Sequence, residues 1–110
     1  MKTDKRENGR IILAHGEVTG HSHEVLADAG VVTTMEMAQF FEEPDGTRFL
    51  MLLEPCSLIH QEHGKIALDP SCPVQVRQGD VLLTPAGTGL WRVTRQREWA
   101  GPDVWRQVAD

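Results

Sequence analysis

His21-Ser22-His23 sets two imidazoles two residues apart. On an extended strand such residues point to the same face, so both rings can reach one ion with little further ordering. A second pair, His60 and His63, brackets Gln61-Glu62. Residues three apart point to opposite faces of a strand, but a helical turn or a bulge brings them together. Gly64, directly after them, is a residue that ends a strand or closes a bulge. Four of the five histidines therefore fall in two short clusters. The candidate metal ligands are His21, His23, His60 and His63, with at least one of the second pair joining the first. Imidazole-rich sites with an occasional carboxylate suit Zn, Fe, Mn, Ni or Cu, so the expected cofactor is a divalent transition metal. For zinc, three protein ligands and an open position would be catalytic; four would be structural.

Glu17, Glu24 and Glu62 are the nearest carboxylates, and each also reads as a solvated surface side chain. Glu62 and Glu24 are the candidate general bases. His15, on the preceding strand, supports the site or lies on the surface. The plain alternative for His21 and His23 is a pair of solvent-facing histidines on an edge strand. A second chemical cluster is Thr94-Arg95-Gln96-Arg97-Glu98-Trp99. Its alternation sets Arg95, Arg97 and Trp99 on one face. Two guanidiniums beside an indole could hold a small anion or carboxylate. In a chain of net charge -5, they could equally pair with the protein's own acids, which is the reading preferred here.

The elements around these residues are short. Turn signals recur about every ten residues, the mark of a sandwich or barrel. Expected strands are Arg10–His15, His21–Ala27, Ala38–Glu42, Phe49–Glu54, Val74–Arg77, Asp80–Thr84 and Leu90–Trp99, with one or two more between Ser57 and Leu68, broken near Gly64. The segment from Val31 is ambiguous between helix and strand, though its β-branched start favours a strand. Pro44-Asp45-Gly46 is a hairpin turn in which Gly46 needs φ > 0. Gly101-Pro102-Asp103 could open a short helical turn. The fold class is thus all-β, a single small β-barrel or β-sandwich over residues 10–110, with residues 1–9 expected as a flexible arm.

Composition narrows the setting. One domain of 110 residues can bury one core. The acidic balance argues against a surface that tracks nucleic-acid phosphates. No apolar run approaches a membrane span, and Met1–Arg10 lacks the apolar stretch of a signal peptide. A cytoplasmic location is expected, and with it Cys56 and Cys72 as free thiols. Edge strands and a Trp-containing C-terminal strand are compatible with a homodimer.

The order of these features resembles the cupin superfamily of small β-barrels, or double-stranded β-helices. Its second motif, Gly-x5-Pro-x-Gly-x2-His, is matched from Gly79 through Pro85 and Gly87 up to the last position, where Leu90 replaces the metal-binding histidine. Its first motif is matched by His21 and His23. There the gap from Gly16 is one residue short, and Asp28 is the nearest substitute for the motif's glutamate. The phrases GEVTGHSH, HQEH and RQREW also resemble a set of uncharacterised bacterial and phage proteins, carrying over to His21, His23, His60, His63, Arg95, Gln96, Arg97 and Glu98. Relative to that set, the segment between Asp69 and Gly89 departs, so the strand order there is left open.

Three functions follow from these residues. The first is a metal-binding β-barrel without catalysis, structural or metal-sensing. The second is a cupin-type metalloenzyme whose metal activates water, dioxygen or a bound carboxylate of a small anionic or oxygenated substrate. The third is an interaction module in which the histidines are incidental.

Overall fold

In a computed structural model, residues 3–16, 20–96, 99–101 and 104–105 are described, for Thr3 and the last two segments by backbone alone. Every regular element among them is a strand: β1 Thr3–Asp4, β2 Ile11–His15, β3 Ser22–Ala27, β4 Ala38–Glu42, β5 Arg48–Leu52, β6 Cys56–His60, β7 Gly64–Leu68, β8 Val76–Gln78, β9 Val81–Gly87, β10 Leu90–Arg95, β11 Trp99–Gly101 and β12 Val104–Trp105. All pairings are antiparallel. One sheet runs β1-β4-β5-β10-β9-β8 and a second β2-β3-β6-β7, with β11-β12 as a separate ribbon. The all-β expectation therefore holds, in the form of two antiparallel sheets.

Side-chain alternation explains why the sheets face each other. In β3, His23 and Val25 are buried while Glu24 is not; in β10, Trp91 and Val93 are buried while Arg92 is exposed. Ile11, Leu13, Val25 and Leu58 from one sheet meet Phe40, Leu50, Leu83, Trp91 and Val93 from the other in one core. Burying each such side chain contributes roughly 1.5–3 kcal/mol. Two polar side chains at the layer boundary find backbone acceptors. The Trp91 indole donates to the Val74 carbonyl at 2.9 Å, and Arg48 Nη1 donates to the Leu13 carbonyl across the two sheets at 2.8 Å.

Three local expectations are corrected. Residues 3–9 of the expected arm are not loose. Thr3 and Asp4 pair with Glu42 and Phe41, Glu7 bridges Arg10, and Arg6 donates to the Thr33 and Ala38 carbonyls, both at 2.7 Å. An N-terminal charge run hides this docking because its partners are backbone carbonyls, which no side-chain pattern announces. The segment from Val31 forms an isolated bridge from Val32 to Leu26 and one turn at Thr34–Met37 before β4. The strand expected up to Trp99 ends at Arg95. Trp99–Gly101 and Val104–Trp105 pair antiparallel, and the helical turn expected at Gly101-Pro102-Asp103 falls on residues outside those described. Among the described residues no helix is long and apolar enough to cross a membrane.

Two outcomes follow from this packing. Cys56 is buried and Cys72 exposed, both as thiols. Burial first, then the nearby Asp28 and Glu54 carboxylates, push the Cys56 thiol up to about 11. A thiol titration of the native protein should therefore find one reactive group, and two only after unfolding. Gly46 has φ of 90° in the β4–β5 turn, a left-handed conformation. Gly46→Val should destabilise by about 1 kcal/mol or more in denaturant unfolding.

Candidate functional site

His23 is the second residue of β3 and continues its inward face beside Val25, so it is only 2% exposed. His60 is the last residue of β6 and 3% exposed. The chain then turns through Gln61-Glu62-His63, and Gly64, opposite His60, opens β7. The His60 ring holds this turn. Its Nδ1 accepts from the backbone N–H groups of Glu62 at 3.0 Å and His63 at 3.2 Å, as a capping Asn or Asp oxygen would. The reversal brings His63 back beside His60, with ring centroids 4.6 Å apart. His60 also lies 4.3 Å from the His23 ring and 5.5 Å from the His21 ring; His23 and His63 are stacked at 6.2 Å. All four histidines singled out in the sequence thus share one cluster, because a turn supplies what an extended strand at 60–63 could not.

The hairpin between β8 and β9 closes over the rings. A Cβ on Gly79 would lie 2.7 Å from His63 Nε2 and 3.4 Å from His23 Cε1. With φ of 59° and that close approach, glycine is the residue that fits. On either side of it stand Gln78 and Asp80, 2% and 4% exposed. The Gln78 amide nitrogen donates to the carbonyls of Leu58 and Gly64, both at 3.0 Å. This fixes the amide orientation and turns its oxygen toward His23 Nδ1 at 2.8 Å. Since that oxygen only accepts, Nδ1 of His23 carries the hydrogen, an assignment made from the partners.

His23 Nε2 then faces Asp80 Oδ1 at 3.3 Å. Asp80 Oδ2 accepts from Arg95 Nε at 2.5 Å. Asp80 Oδ1 and His60 Nε2 are both buried without a hydrogen-bond partner. Burial first, and then the neighbouring imidazoles, push His60 down to about 4, so it is neutral near pH 7. With Nδ1 accepting two hydrogen bonds, the proton of neutral His60 sits on Nε2.

The remaining candidates are placed as follows. Glu62 Oε1 lies 3.1 Å from His21 Nδ1. Glu24, on the other face of β3, pairs with Arg10 at 2.7 Å, so it is no base for this site. His15 is exposed and pairs with Glu7 at 2.8 Å. Arg95 takes the ion-pair role, on Asp80. Glu17, Arg97 and Glu98, and the Trp99 side chain, lie outside the described residues. Leu90, at the place of the cupin motif's histidine, follows the far end of β9, about 20 Å of strand from Asp80. Gln78 and Asp80 were missed as site residues. Their signal was a polar Gln78 in phase with the buried Val76, followed by a carboxylate before a strand.

As placed, the rings stack and tilt against one another, and among the described residues no three His, Cys, Asp or Glu side chains form a group that could hold a metal ion. The half that is fixed is the His23–Asp80 contact. Its two facing acceptor atoms, a ring nitrogen and a carboxylate oxygen, need a positive charge between them: a proton or a metal ion.

Neither a curated protein nor a solved structure matches the chain. The family described as Domain of unknown function (DUF8820) matches residues 1–72, a span that includes the four clustered histidines and stops short of Gln78, Asp80 and Arg95. Since that span is well over half of 110 residues, the chain is a member of the DUF8820 family.

Proposed function

We propose that the chain is a small metal-binding β protein that takes one divalent transition metal between His23 Nε2 and Asp80 Oδ1, completed by His63 and His21. The observation that carries this reading is the buried 3.3 Å contact between those two acceptors. Ligand nitrogen and oxygen atoms at about 2.0–2.2 Å from a tetrahedral zinc-like ion stand roughly 3.3–3.6 Å apart, so the fixed pair lies at the short end of the spacing of two ligands. Gln78 supports His23 as a metal-bound imidazole is usually supported, by accepting the other ring N–H. Completing the site requires rotation of His63, whose side chain is exposed on the β6–β7 turn, and of His21 at the entry to β3. His60 is set apart from the ligands: its proton sits on the nitrogen that would have to bind.

A second reading has an observation of its own. Arg95 already pairs with Asp80, and a proton on His23 Nε2 would complete an imidazolium–carboxylate–guanidinium row. The cluster would then pin the two sheets together and bind nothing.

Elemental analysis and zinc titration of protein purified without a polyhistidine tag separate the two. The metal reading expects close to one equivalent. His21→Ala combined with His23→Ala should abolish it, and Asp80→Asn should weaken it at least the roughly tenfold that 1.4 kcal/mol represents. His63→Ala should weaken it far more than His60→Asn. Folded wild type that takes up no metal establishes the proton reading. Full retention by the double variant would discard the ligand assignment.

A further inference from the structure

We infer that the cleft between the N-terminal segment and the two sheets binds a free acidic α-amino acid, with Arg48 and Lys5 taking its two carboxylates and Glu42 its ammonium group. Among the described residues no histidine lines this cleft, so it stands apart from the metal reading. Its volume is about 460 Å³. That lies within the roughly 300–1,000 Å³ of small-molecule sites. Its walls come from both layers: Ile12 from β2 of one sheet, Phe40 and Glu42 from β4 and Arg48 from β5 of the other. The N-terminal wall is held by Arg6, which donates to the carbonyls of Gly9, Thr33 and Ala38. Arg48 is held as well, by the Leu13 carbonyl at 2.8 Å, with its guanidinium 5.6 Å from the Phe40 ring centroid. Groups fixed before binding lose little freedom when a ligand arrives.

Charge selects the ligand. Three acids and three bases line the cleft. Two of the acids are engaged, Asp4 with Arg6 at 3.7 Å and Glu7 with His15 at 2.8 Å. Among the described residues Lys5, Glu42 and Arg48 have no ion-pair partner. Glu42 and Arg48 are direct cross-strand partners, yet no ion pair closes between them. Burial pulls the half-buried Arg48 guanidinium below its ordinary value, and Glu42 acts against that. The group stays charged all the same. Nη1 is taken by Leu13, and the Nε–Nη2 edge is the fork that receives a carboxylate side-on. Two cations and one carboxylate complement two carboxylates and one ammonium group, the set an acidic α-amino acid carries. Binding forms ion pairs and breaks no covalent bond.

The test titrates the metal-free full chain with glutamate, followed by proton–nitrogen NMR. Wild type should show saturable shifts at Lys5, Glu42 and Arg48. It should bind glutamate about tenfold more tightly than glutarate, which lacks the ammonium group. The preference over norvaline, which lacks only the contact to exposed Lys5, should be about threefold. Glu42→Gln should no longer prefer glutamate to glutarate, and Lys5→Gln should no longer prefer it to norvaline. Both changes leave the Arg48 and Arg6 contacts in place, so both variants should fold. Absence of saturable shifts in the folded wild type would overturn the site. Equal wild-type affinity for glutarate would overturn the ammonium position. Unaltered selectivity in either variant would overturn the role given to that residue.

Discussion

The site depends on how Gln78 holds His23. The amide of Gln78 bridges two strands of the other sheet by donating to Leu58 in β6 and Gly64 in β7. Its oxygen takes the Nδ1 hydrogen of His23 in β3. One side chain of β8 thereby ties its own sheet to three strands of its neighbour, and the same contacts decide which nitrogen of His23 carries a lone pair. Loss of the Gln78 amide would remove both of these bonds to backbone carbonyls and leave the buried His23 Nδ1–H unmet, the last at a cost of roughly 1–3 kcal/mol. Satisfied, such a network specifies one packing of the two sheets.

Asp80 gives that network its charge. A buried carboxylate is costly unless it is paired and hydrogen-bonded. Arg95 of β10 meets one of its oxygens, and the other is left facing His23. The half-met carboxylate, the oriented imidazole and the His60 donor lie where the entry of β3, the β6–β7 turn and the β8–β9 turn converge. Elsewhere, the sheets are joined by a satisfied contact, Arg48 on the Leu13 carbonyl, with the guanidinium 5.6 Å from the Phe40 ring centroid.

Much of this was legible in the residues. Alternation and turn chemistry read out β2, β3, β4, β5 and β10 to within a few residues at either end, because each has one buried face. The two histidine pairs were legible as a cluster because His-x-His is insensitive to backbone detail. The relation of His60 to His63 was not, since it depends on a turn that the His60 ring itself caps. Gln78 and Asp80 escaped because a polar residue before a glycine reads as turn chemistry unless the phase of the strand is known. The docking of residues 3–9 escaped for another reason: Arg6 is held by backbone carbonyls of Gly9, Thr33 and Ala38, which carry no sequence signature.

The account turns on where two protons sit. Long-range proton–nitrogen correlation of the imidazole rings, recorded before and after one equivalent of zinc, reads this directly. With zinc present, His23 should carry its hydrogen on Nδ1 with an unprotonated, metal-shifted Nε2, and His60 should carry its hydrogen on Nε2. A hydrogen on His23 Nε2 that zinc does not displace, or a hydrogen on His60 Nδ1, would contradict it.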